Sequence, residues 1–242
     1  MLSQRTQAIK DSLFAQPRRV TMERARLYME SYKETQGEPP VIRRAKAFKH
    51  LLENHKIVLD EHDLLVGNRT DTPRAGVVSP EMSPYWILDE LDKFPSRQQD
   101  RFEISEEDKS YYKEVLYPFW RNRSLNDWYR AHLAENLAEA QKTRIFSVAQ
   151  TDKGQGHIIC DFPLVLQNGF GALLAEAEQK LAQDSENYFY AATVIVLKAT
   201  IAYVQRYEAA VLQAKANAPS ETRAQELGRL ADSALHCYRA SP

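Results

Sequence analysis

The chain has 242 residues, enough for one large domain or two small ones and for a sizeable apolar core. Its 32 Lys and Arg balance 33 Asp and Glu, a formal charge of -1, so no overall basic field draws nucleic acid or anionic lipid. With 43% hydrophobic residues and only 8 glycines, the composition favours a globular, mainly helical protein over a turn-rich sheet.

The first residues run straight into charge, and no apolar run reaches the ~18 residues that a membrane span requires. The sequence therefore reads as cytoplasmic. Leu2, Ile9, Leu13 and Phe14 stand among charges and predict a short amphipathic helix over residues 2–15, ended by Pro17. Thr21 reads as the cap of a second helix with Ala25, Tyr28, Met29 and Tyr32 as its apolar stripe. Gly37-Glu38-Pro39-Pro40 stops it, and a third helix follows from about Val41 to the region of His55. Short connections predict antiparallel packing of the three. Leu64-Leu65-Val66-Gly67-Asn68 is the best early strand candidate. Residues 69–84, with Pro73, Gly76, Pro80 and Pro84, cannot be regular throughout; they read as a long loop packed on a larger body.

Ser105-Glu106-Glu107-Asp108 opens a helix that continues through Tyr112, Val115 and Leu116 to Pro118. Another helix is expected over 124–142. Residues 163–183 and 186–216 predict two long helices, the second burying Val194, Ile195, Leu197, Ile201, Val204 and Leu212. The aromatics Tyr188, Phe189, Tyr190, Tyr203 and Tyr207 read as its core-facing side. A last helix begins near Glu221. Cys160 and Cys237 are too few and too far apart for a disulfide framework or a zinc site, and read as reduced thiols.

The segment Thr151-Asp152-Lys153-Gly154-Gln155-Gly156-His157-Ile158-Ile159-Cys160-Asp161 is unusual on physical grounds. Two glycines around Gln155 permit close backbone approach or positive φ, and so can aim His157 into a pocket or simply into a hydrogen-bonded turn. Neither phosphate-loop spacing is present. Asp161 could orient His157 or cap the helix at Phe162-Pro163, Phe146 could line a pocket or pack, and Arg69 and Arg74 could bind a carboxylate or tie down a loop. No His, Asp or Glu grouping has metal-site spacing.

Several ordered segments carry a resemblance. Glu23-Arg24-Ala25, Ile42-Arg43-Arg44-Ala45-Lys46-Ala47, Leu65-Val66-Gly67-Asn68-Arg69, Pro73-Arg74-Ala75-Gly76 and Ser79-Pro80-Glu81-Met82 come first. Ser105-Glu106-Glu107-Asp108-Lys109, Pro118-Phe119-Trp120 and Gln155-Gly156-His157 follow in the same order. Together they resemble the opening of glycyl radical enzymes of the pyruvate formate-lyase-like group, in the branch of formate acetyltransferase 2 and B12-independent glycerol dehydratase. The resemblance spans about residues 3–232. It implies a mainly α chain with few short strands, the amino-terminal helical part of a larger α/β barrel.

Such a parent implies a radical-bearing glycine in a Val-x-Gly-Tyr setting and a cysteine in a Gly-Cys-x-Glu setting. It also implies an activating partner that uses S-adenosylmethionine and an iron-sulfur cluster, and a small-molecule substrate. Neither setting occurs here: Cys160 lies in Ile-Cys-Asp, Cys237 in His-Cys-Tyr, and the last glycine, Gly228, in Leu-Gly-Arg. Through the resemblance, His157 becomes the candidate substrate-binding residue, with Phe146 and Asp161 as weaker ones. No catalytic set is complete, and no cofactor or metal is bound directly. Residues 233–242 diverge from the family pattern, which reads as a truncation or frame change after residue 232. The expected function is an amino-terminal fragment, inactive alone, with a homo-oligomer or a complementing carboxyl-terminal chain as partner. The alternative is a self-contained helical binding or regulatory protein that associates with a full-length relative. Once residue 242 is reached with no barrel, part of the aromatic helix surface is expected to be exposed.

Overall fold

The computed structural model describes residues 3–143, 145 and 159–238, the last three by backbone alone. These residues form two compact units. One is built on residues 3–16, 27–73 and 161–238, the other on 17–26 and 74–143.

The first unit is helical. α1 (Gln4–Ala15) is capped by Ser3, whose hydroxyl accepts from the Thr6 N–H, and α3 (Pro40–Asn54) starts with Pro40 at its first position. α9 (Phe162–Gln183), α10 (Tyr188–Ala216) and α11 (Glu221–Tyr238) complete it. α10 is the core helix, with α3, α9 and α11 all packed on it. It is also the one helix among the described residues long and apolar enough to cross a membrane. Val211, Leu227, Leu230 and Ala231 form the cluster between α10 and α11, joined by Leu59 and Val66. The end of α2 (Glu23–Glu34) meets α3 through Arg43 over the Tyr32 ring and His50 bonded to Glu30.

The sequence-predicted strand at 64–68 does not form. Val66 packs on the α10–α11 cluster, but Leu65 is 86% exposed and Gly67 takes φ 119°, so the run has no neighbouring chain to pair with. Asn68 instead serves as a hub. Its Oδ1 accepts from the Val58 N–H at 3.3 Å, while its Nδ2 lies 3.1 Å from Lys56 O, 2.6 Å from Thr70 O and 2.9 Å from His55 Nε2.

The second unit holds both strands found among the described residues. β1 (Arg19–Thr21) and β2 (Ala75–Val77) pair in parallel, Val20 opposite Gly76. A Cβ on Gly76 would lie 3.0 Å from the Phe102 ring, so the glycine permits that approach. α4 (Tyr85–Glu90) and a 3₁₀ turn at Phe94–Ser96 follow. α5 (Glu106–Tyr111) runs through a π-helical turn at Tyr112–Leu116 into α6 (Tyr117–Trp120), which accommodates Pro118. The single helix expected over 124–142 is two, α7 (Leu125–His132) and α8 (Glu135–Lys142), broken where Leu133 and Ala134 turn extended.

Candidate functional site

Two of the three candidate pocket residues, His157 and Phe146, lie outside the described residues. The third, Asp161, is the N-cap of α9: its Oδ1 accepts from the Leu164 N–H at 3.1 Å, and Pro163 occupies the first turn. The cap explains why a helix begins directly after the glycine-rich segment. Cys160 beside it is an exposed free thiol. α9 then kinks at Gly169, whose φ of 70° and ψ of 162° interrupt the helix. Phe162, Leu164 and Leu166, ahead of the kink, are exposed, as are Tyr188 and Phe189 at the start of α10. The expected aromatic side of α10 is therefore divided: Tyr207 is buried, while Tyr188 and Phe189 face outward. Leu212, expected inside, is exposed, and Val211 takes its place in the core.

Below that apolar surface the first unit is knit by buried polar groups. Arg206 donates to the carbonyls of Leu52 at 2.5 Å and His55 at 2.8 Å, closing the C-terminus of α3. Tyr203 donates to the Asn68 carbonyl at 3.3 Å; burial, with the neighbouring Tyr207 phenol adding to it, pushes its phenol well above the usual range. It stays neutral and acts as a donor. Arg223 donates to the Asp63 and Asp60 carbonyls at 2.9 and 3.2 Å, clipping that turn to α11. Hydrogen bonding from Arg5, then Arg223, holds the Glu226 carboxyl below its ordinary range against partial desolvation.

These clips frame a cleft of about 290 Å³ within the first unit. Ile9, Ser12 and Leu13 of α1 line it, facing Val58, Asp60, His62, Asp63 and the Gly67–Pro73 stretch. Arg69 is one of its lining residues and makes no hydrogen bond or ion pair among the described residues. Of the two arginines weighed for a carboxylate, Arg69 alone lines the cleft; Arg74, at φ 57°, is engaged elsewhere. Sequence reasoning missed the α1 and Asp60–Asp63 contributions. The signal available was the Ile9, Ser12, Leu13 spacing, which puts these three on one helix face.

In the second unit, Arg24 donates to Ser79 Oγ at 3.0 Å and to Glu81 Oε1 at 2.6 Å, a largely buried ion pair. Tyr112 donates to the Pro84 carbonyl at 2.8 Å, and burial pushes its phenol well above the usual range. Tyr85 donates to Asp127 at 2.5 Å, and Ser124 completes a capping box with the same carboxylate. No group of three His, Cys, Asp or Glu among the described residues could hold a metal ion.

Residues 2–242 match the pyruvate formate lyase-like family. Isethionate sulfite-lyase of Oleidesulfovibrio alaskensis is 29% identical over 93% of this chain and 29% of its own length. The glycerol-bound B12-independent glycerol dehydratase of Clostridium butyricum superposes with a TM-score of 0.91 at 31% identity, covering 100% of this chain and 32% of that one. A glycyl radical enzyme from Archaeoglobus fulgidus gives a TM-score of 0.85 at 30% identity, over 96% of this chain and 30% of that one. The chain thus spans about three-tenths of the length of these relatives. With residues 2–242 matching the family and a TM-score of 0.91 to the glycerol dehydratase, the chain belongs to the pyruvate formate lyase-like family of glycyl radical enzymes and corresponds to its amino-terminal portion.

Proposed function

We propose that this chain supplies one wall of the substrate pocket of a glycyl radical dehydratase or lyase, a wall that works only with the remainder of the barrel. The observation that carries the reading is the likeness to glycerol dehydratase over 100% of this chain but 32% of that one. The exposed apolar surface of Phe162, Leu166, Tyr188 and Phe189 supports it, because such a patch requires cover.

Nothing in these 242 residues fits the radical group itself: no glycine stands in a Val-x-Gly-Tyr setting and neither cysteine in a Gly-Cys-x-Glu setting. The chain's own contribution is binding and orientation. His157 contacts the substrate, its imidazole able at neutral pH to hold a hydroxyl or to hand a proton to a departing group. Phe146 is the second residue proposed to contact the substrate, and Asp161 caps the start of α9. The substrate is a small molecule that loses a leaving group, in keeping with the dehydratase and sulfite-lyase relatives. An activating enzyme using S-adenosylmethionine and an iron-sulfur cluster serves the rest of the protein, in the cytoplasm. The division near residue 232 is proposed on sequence alone, since α11 itself continues to Tyr238.

Reading the coding region beyond codon 242 in all frames tests this directly: segments encoding Gly-Cys-x-Glu and Val-x-Gly-Tyr are expected, and their absence overturns the proposal. Incubating the purified chain anaerobically with an activating enzyme, S-adenosylmethionine and glycerol should give no radical signal in electron paramagnetic resonance and no product. Either one would show that the chain is catalytic by itself.

A further inference from the structure

We draw no further inference here: the strongest candidate, the apolar surface patch of Phe162, Leu164 and Leu166 on α9 with Tyr188 and Phe189 on α10, is the surface already assigned to the remainder of the barrel, and nothing in the structure shows any other partner covering it.

Discussion

The two units build their cores from different materials. The second, made of short helices, turns and one strand pair, closes an inner core in which Ile87, Leu91, Tyr112 and Leu116 are 0% exposed and Trp120 2%, while Trp86 and Trp128 stay at its surface, 47% and 60% exposed. The first, made of long regular helices, leaves Phe162 66% and Phe189 67% exposed. Regular structure is thus no measure of closure. A helix satisfies its own backbone wherever it lies, so α9 and α10 can carry apolar surface without a local partner. The irregular chain of the second unit takes side-chain partners for its loops, as the Pro84 carbonyl does with Tyr112 while Arg24 joins Ser79 and Glu81, and Tyr112 and Trp120 are buried there.

All three tryptophans, Trp86, Trp120 and Trp128, lie in the second unit, so intrinsic fluorescence follows that unit while far-UV circular dichroism is dominated by the long helices of the first. The largest separation of the two signals is expected from Trp120→Ala, which should destabilise the second unit by about 3–5 kcal/mol and leave the α10 helical signal in place. Coincident loss of both signals would make the units one cooperative body. Glu81→Gln comes next, at about 1–3 kcal/mol, because it removes the carboxylate charge opposite the mostly buried Arg24 guanidinium while Ser79 still accepts from it; denaturant unfolding by fluorescence measures it.

In the first unit, Arg206→Met should cost about 1–3 kcal/mol by leaving the Leu52 and His55 carbonyls without their donor. Faster hydrogen exchange at the end of α3 is its signature. Acid distinguishes the units more finely. Partial burial opposes the charge on Asp127, but hydrogen bonds from Ser124 and Tyr85 outweigh it and hold that carboxyl below its ordinary range. A depressed folded pKa contributes stability that is present above the unfolded value of about 4 and is lost as pH falls below it. Asp127→Asn should therefore flatten the fluorescence-detected acid limb below pH ~4 without moving the helical one. The smallest effect belongs to Phe189→Ser. It should change stability by no more than about 0.5 kcal/mol, and any self-association that the wild-type chain shows in sedimentation velocity should weaken; association that persists unchanged would mean that the α9–α10 surface does not mediate it.

Much of this architecture was legible in the chain. Capping residues and prolines placed α1, α3, α5, α9, α10 and α11 to within a few residues, because caps and proline constraints act locally. The resemblance in ordered segments led to the family that residues 2–242 match. Of the candidate pocket, the sequence could single out His157, Phe146 and Asp161; only Asp161 falls within the described residues, and there its carboxylate caps α9.

The failures share a cause. Whether an apolar run such as 64–68 becomes a strand depends on a pairing partner elsewhere in the chain, and the partners here joined 19–21 to 75–77 instead. Which side of α10 is covered depends on where α3, α9 and α11 land, so Val211 went inside and Leu212 out although both are apolar. The cleft beside α1 draws its walls from residues about fifty positions apart, a distance over which sequence spacing carries no geometry. The sequence by itself determined most of the longer helices and the family, since these follow from local backbone preferences and ordered motifs, but not the break between α7 and α8. Only the tertiary structure decided what is buried, which polar groups are engaged and which charges stand open, because burial and pairing are properties of neighbours in space.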